Sequence, residues 1–436
     1  MFSKVKLVLS VSLVILVTVF SAKAFGIGSG GYRNEVVDAE ASGKGFCFTA
    51  QADGPSAVHY NPAGLTQLKG SYVSAGYAME APRFEVASDA TGNTVQMQKQ
   101  VFWLPHIYFV SDFKSENLRF GFGANAPYGL STDWADDSFA RFLSTESNVS
   151  MANFNPAIAY KINDSVSVGV GLDYFTARIS KHRRVFTTYS STNGDFQLKG
   201  DDEAFGYNLG LLIKPSEKQR IGLSYRSEIN LTYKGIVSLN GLDGGMSAVI
   251  FGAGVSEYST AMESQSTIPR SIALGYAYEL NDKWTVETGI EWTDWSCVEE
   301  EFIKYPDETN ALRLALLNAG NPASRDWRDG WAYAVGTEYK TTDKLALRGG
   351  LLYESSPIPT VNWEPVLPDA DKYGITTGFG YALKDNMKID VSYAFLKYKN
   401  RNITNDAGAV TSPTINADGT YKAYVNIAAI TFTYKY

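Results

Sequence analysis

Disulfides cannot organise this 436-residue chain, because Cys47 and Cys297 are its only cysteines and they could pair only if the fold brought them together. Histidine is scarce too: His59, His106 and His182 are the whole supply. None accompanies a nucleophile signature, so neither catalysis nor a metal or other cofactor is expected. Positive charge is in deficit, with a formal net charge of −7. Without the first 24 residues the balance is 36 basic against 46 acidic residues, a poor composition for nucleic-acid binding. Beyond that leading segment no apolar run reaches the roughly 18 residues of a membrane helix. A membrane role would have to come through strands.

What is present begins with Lys4 and Lys6, an apolar run from Val5 to Phe20, and Ala22-Lys23-Ala24. A charged start, a short greasy stretch and a small-x-small end read as a secretory signal over residues 1–24. After it, period-two alternation dominates. In 220–233, Ile221, Leu223, Tyr225, Ile229, Leu231 and Tyr233 are expected on one face. In 283–295, Trp284, Val286, Thr288, Ile290 and Trp292 oppose Thr285, Glu287, Gly289, Glu291 and Thr293. The final strand carries Ala428, Ile430, Phe432, Tyr434 and the terminal Tyr436 on one side.

Turns decide between a sandwich and a barrel. Tight polar turns are expected at Asp112–Glu116, Asn163-Asp164, Pro215–Lys218, Asn281-Asp282, Thr341–Asp343 and Lys384–Asn386. They alternate with long stretches near 80–98, 127–148, 180–201, 235–262, 297–328, 356–370 and 400–420. Six tight turns and seven long loops join fourteen strands and leave both chain ends on the tight-turn side, which is the outer-membrane arrangement. The expected fold is therefore all-β: a 14-stranded antiparallel transmembrane barrel over 70–436. Residues 25–69 are rich in Gly, Ala and Ser and too poor in large apolar side chains to form a core alone. The lumen of such a barrel is wide enough to take them as a plug.

Within that segment, Ala41-Ser42-Gly43-Lys44-Gly45 is followed by Asp53-Gly54-Pro55-Ser56-Ala57-Val58-His59-Tyr60 and then Asn61, Pro62, Ala63, Gly64 and Leu65. Together they resemble the FadL family of outer-membrane transporters for long-chain fatty acids and other hydrophobic compounds. Ala126-Pro127-Tyr128-Gly129-Leu130-Ser131-Thr132-Asp133-Trp134 is similar to the family's segment after its third strand, and Asn155-Pro156-Ala157-Ile158-Ala159-Tyr160 is a third match.

The resemblance implies uptake without an energy source. A hydrophobic ligand, fatty acid or aromatic hydrocarbon, would be captured by outer loops, held in the barrel and released sideways through a kinked third strand when the plug moves. The kink would involve Gly121, Gly123 and Pro127, although the two glycines could equally ease packing against the plug. Capture is expected at Val249, Ile250 and Phe251, and at Leu312 and Leu316 on a short helix over the mouth. A ligand carboxylate would meet Arg178, with Arg348 as a second candidate. Lys181, His182, Arg183 and Arg184 are placed in the following loop, where they could bind lipopolysaccharide phosphates. The chain is expected to be a monomer among outer-membrane lipids. A general porin for polar solutes is the rival reading.

Overall fold

The computed structural model describes residues 31–34, 36–185, 190, 194–405, 407 and 416–436; the signal-like segment lies outside them. Fourteen antiparallel strands close into one barrel. They are β1 (Ser71–Ser88), β2 (Phe102–Ser111), β3 (Leu118–Asn125 and Gly129–Asp133), β4 (Glu146–Lys161), β5 (Val166–Arg184), β6 (Asp195–Ser216) and β7 (Gln219–Arg226 and Ile229–Asn240). They continue as β8 (Glu257–Ile268 and Ser271–Asn281), β9 (Trp284–Thr293), β10 (Gly330–Lys340), β11 (Leu345–Glu354), β12 (Lys372–Lys384), β13 (Met387–Tyr398) and β14 (Gly419–Lys435). The β14 ladder on β1, from Tyr72↔Lys435 to Ser88↔Gly419, shuts the ring and removes its edges.

Tight turns fall at one end as expected. At the other end several strands run farther than the alternation suggests. β5 reaches Arg184 and β6 begins at Asp195, so much of the expected 180–201 loop is ladder.

The wall is apolar on its exposed side. Val168, Val170 and Leu172 of β5, Leu274 and Tyr276 of β8, and Ile430 and Phe432 of β14 are all exposed. Between them stand buried polar groups: Asp173, Asn208, Glu287, Asp390 and Thr431. A contiguous greasy surface of this kind is intolerable in water and natural in hydrocarbon.

One expected face does not hold. Across β6 and β7 the register moves from Asn208↔Arg226 to Asp201↔Lys234, which leaves one extra residue in β7 near Ser227-Glu228. A one-residue bulge exchanges the two faces of a strand. Leu223 therefore stays exposed, whereas Ile229, Leu231 and Tyr233 are buried. β8 changes face at the same level, around Pro269-Arg270, so Met262 and Ile268 turn inward with them.

Residues 31–70 contact the buried side of strands all round the ring. Among the described residues of this stretch, two short helices, α1 (Ala39–Ser42) and α2 (Ala57–Tyr60), and a 3-10 helix over Pro62–Gln67 are the only regular elements. Wall glycines make the seats. A Cβ on Gly169 would lie 2.5 Å from the Ala63 nitrogen, one on Gly121 2.6 Å from Val58 Cγ2, and one on Gly275 2.9 Å from the Ala50 nitrogen. Gly210, Gly222 and Gly336 meet Asn61, Thr49 and Lys44 more closely still.

Candidate functional site

The Asn61–Leu65 stretch has a mechanical explanation. The Asn61 side chain accepts from the Ala63 N–H at 3.1 Å and caps the 3-10 turn, where Pro62 sits at the first position and lacks only an N–H that would be unpaired. The Asn61 amide then donates to Thr49 O at 2.8 Å and to Leu211 O of β6 at 3.1 Å. Ala63 and Pro62 rest on Gly169 and Gly210, Gly64 on Ala52, and Leu65 is wholly buried.

The barrel wall is broken at β3. β2 and β3 pair from Ser111↔Phe120 to Ile107↔Ala124 and no farther. β2 continues to Phe102 on β1 alone, while Gly129–Asp133 pairs only with β4. Between the two halves of β3 the register on β4 changes from Asn125↔Asn153 to Gly129↔Ser150, one residue too many in β3. Pro105 and Pro127 face the unpaired stretch with no N–H to offer it. The N-terminal segment takes up part of the loss. Asn34 N–H donates to Pro127 O at 2.8 Å, Gly129 N–H to Tyr32 O at 2.7 Å, and the Asn34 amide to Ala126 O at 3.0 Å.

Beside the break lies a cavity of about 210 Å³. Leu130 from the displaced half of β3 lines it, with Met151, Ile179, Tyr233, Trp327, Ile358 and Leu367. Tyr32 forms part of its wall and packs on Trp295 and Trp327, with ring centroids 5.6 and 5.5 Å away. The inward turn of β7 supplies Tyr233. Two cations also reach the cavity, and both are paired: Lys181 with Glu301, and Arg325 with Glu301 at 2.7 Å and Glu364 at 2.9 Å. Burial opposes ionisation of Glu301, but Lys181 and Arg325 outweigh it and hold this carboxyl well below the usual range.

A family profile described as outer membrane protein transport protein (OMPP1/FadL/TodX) matches residues 26–436. The chain belongs to this family. Its similarity to a long-chain fatty acid transport protein of Escherichia coli O6:H1 is 26% identity, covering 91% of the chain and 93% of that protein. Outer membrane protein P1 of Haemophilus influenzae is 23% identical over 97% of the chain and 98% of its own length. Among solved structures, a Pseudomonas aeruginosa FadL homologue superposes with a TM-score of 0.80 at 19% identity, covering 93% and 99% of the two chains. A Ralstonia pickettii toluene transporter gives 0.68 at 18%, covering 94% and 99%. The protein is thus an outer-membrane barrel of the FadL family, whose business is transport and not catalysis.

For a FadL-family barrel the head-group candidates from the sequence are misplaced. Arg178 lies on the exposed face of β5, beside Asp201 across the ladder, because Asp173, Phe175, Ala177 and Ile179 are the buried positions. Arg348 is buried but occupied: it binds Glu338 and Asp390 at 2.7 Å each and Glu40 of the N-terminal segment at 3.4 Å. Lys388 joins the same cluster through Glu40 at 2.5 Å. Lys181, on the buried parity of β5, is the cation that alternation would have indicated. The expected basic loop is strand instead, and Arg184 pairs with Asp136 and Asp195 while Arg183 stacks on Phe196. Gly121 and Gly123 stand in unbroken ladder and accommodate Val58, so the break belongs to Ala126–Tyr128. Both cysteines are free.

The outer-loop residues fall into two groups. Helix α3 (Ser247–Phe251) and helix α4 (Ala311–Leu317) pack together, with Arg313 donating to Ile250 O at 3.3 Å. Ile250 and Phe251 are buried by this contact, Leu316 is half-buried, and Val249 and Leu312 remain exposed at 63% and 54%.

His59 carries a pH prediction. Burial, then Arg226 and Arg33, push its pKa well below the usual value. A histidine depressed in the folded state contributes stability above its unfolded pKa of about 6.5 and loses it as pH falls below that, at up to ~1.4 kcal/mol per unit. Protection factors of the amides in residues 57–61, with the intrinsic pH dependence of exchange divided out, are expected to fall between pH 7 and 5. Asp38 and Asp53, raised by burial first and then by Glu40, have the opposite sign, so His59→Gln isolates the effect. An unchanged pH dependence in that variant would discard it.

Proposed function

We propose that this barrel takes up apolar small molecules, with residues 31–70 as its plug and the break in β3 as a lateral exit into the membrane. The observation that carries the reading is the shared hydrogen bonding of Tyr32 and Asn34 with Pro127 and Gly129. Those bonds tie the segment that would have to move to the wall that would have to open, and Tyr32 also lines the cavity. Capture begins at the exposed Val249 and Leu312. A long acyl chain gains roughly 0.8 kcal/mol per buried CH₂, so a sideways path into lipid is favoured over a wet path through the lumen.

Long-chain fatty acids and their acyl derivatives are the first cargo, since the Escherichia coli O6:H1 relative is named a long-chain fatty acid transport protein. Single-ring aromatics are the second, favoured by the Tyr32, Trp295 and Trp327 rings at the cavity. The test is uptake of a labelled acyl compound and of labelled toluene into lipid vesicles carrying the purified chain. Entry should exceed that of empty vesicles while ion conductance stays low. An intact barrel that conducts ions like an open pore and takes up neither compound would replace this reading with the porin.

A further inference from the structure

The cavity wall has polar groups that neither the ion pairs nor the fold employs. The Tyr233 hydroxyl, the Trp327 Nε1–H and the Ser147 hydroxyl are buried without a hydrogen-bond partner among the described residues, and all three residues line the same cavity. Tyr233 is 1% exposed, Trp327 6% and Ser147 wholly buried. An indole N–H can only donate, and a phenol or a serine hydroxyl donates readily. Leaving such groups dry and unpaired is costly, so the site calls for an acceptor. The surroundings decide what kind. Lys181 and Arg325 are the cations on the wall, against the carboxylates Glu300, Glu301 and Glu364, so a free carboxylate would enter an excess of its own sign. It would also have to displace Glu301 or Glu364 from an existing pair.

We infer that this cavity is a binding site for an uncharged apolar ligand bearing a hydrogen-bond acceptor, such as the carbonyl of a fatty ester, rather than for a free carboxylate. The ester oxygens accept from these donors on the wall, and the chain lies against Met151, Ile179 and Leu130. The inference rests on the uptake reading and narrows its cargo.

Equilibrium binding of labelled methyl laurate, laurate and toluene to the detergent-purified full chain at pH 7.5 tests it. Methyl laurate should bind about tenfold more tightly than laurate. Tyr233→Phe and Trp327→Phe should each weaken the ester about fivefold, the worth of one neutral hydrogen bond. Ser147→Ala, the smallest change, keeps the test alive if an aromatic variant fails to fold. Laurate binding as tightly as its ester, or ester binding indifferent to all folded variants because the donors hold only water, overturns the inference while toluene binding leaves the uptake reading standing. Binding of none of the three compounds overturns both.

Discussion

Replacing Gly210 with valine is expected to dislodge the N-terminal segment and convert a nearly closed barrel into a conducting one. The first added carbon alone would fall on Asn61 Oδ1 and lie 2.8 Å from the Ala63 nitrogen. Neither neighbour can retreat cheaply. Asn61 is held by its cap to Ala63 and by bonds to Thr49 and Leu211, and Ala63 is backbone in a 3-10 turn. Overpacking costs about 1–3 kcal/mol and a lost cap about 1 more. Since about 1.4 kcal/mol is a factor of ten, the displaced form should gain some 10- to 1,000-fold in population.

The strand itself should survive, because valine suits a sheet and its ladder partners are untouched. Single-channel recording should show raised conductance, and limited proteolysis should cut within residues 31–70. Gly349→Val is the control, since a Cβ there meets nothing nearer than 3.9 Å. A folded Gly210→Val barrel with parental conductance and protection would separate the Asn61–Leu65 turn from closure.

How much of this could be read from the chain follows from which physical signals are local. Alternation and turn spacing are local, and they yield the strands, their count and the end at which the turns gather. The composition of residues 25–69 is local too, and it marks a segment with no core of its own. A bulge is not. Odd positions from Ile221 to Tyr233 are apolar except Ser227, and one polar residue in an alternating run does not by itself reveal that an extra residue there sends the second half inward.

Arg178 against Lys181 is a different kind of miss. Val168, Val170 and Leu172 already place the even positions of β5 outside, so parity alone excludes Arg178 and selects Lys181. The paired state of Lys181 and Arg325 depends on Glu301 and Glu364, which lie in distant loops, and no spacing in the sequence brings them together. The wall glycines read locally as weak points. Their role appears only once Gly169, Gly210, Gly222 and Gly336 are seen to receive one continuous segment.

Deleting Pro127 should close the exit and cost the largest share of uptake. The two halves of β3 are out of step on β4 by a single residue, and removing one residue there brings them into one register. The deletion also takes away a residue that cannot donate to a ladder, so β3 can continue past Ala124 alongside β2 toward Phe102. Each ladder bond gained contributes about 1 kcal/mol, and the shortened strand is expected to be at least as stable as the parent. Stability and function should therefore move in opposite directions. Transfer of a labelled acyl compound into vesicles is expected to fall at least about tenfold, the effect of some 1.4 kcal/mol on the passage step. Binding to the detergent-purified protein should change less, because Leu130 and the Tyr32 bonded to Gly129 are the wall residues tied to the strand, while the rest of the lining comes from other elements. Lost binding and lost uptake together would point to a damaged cavity, and parental uptake by a folded deletion variant would rule out the break in β3 as the way out.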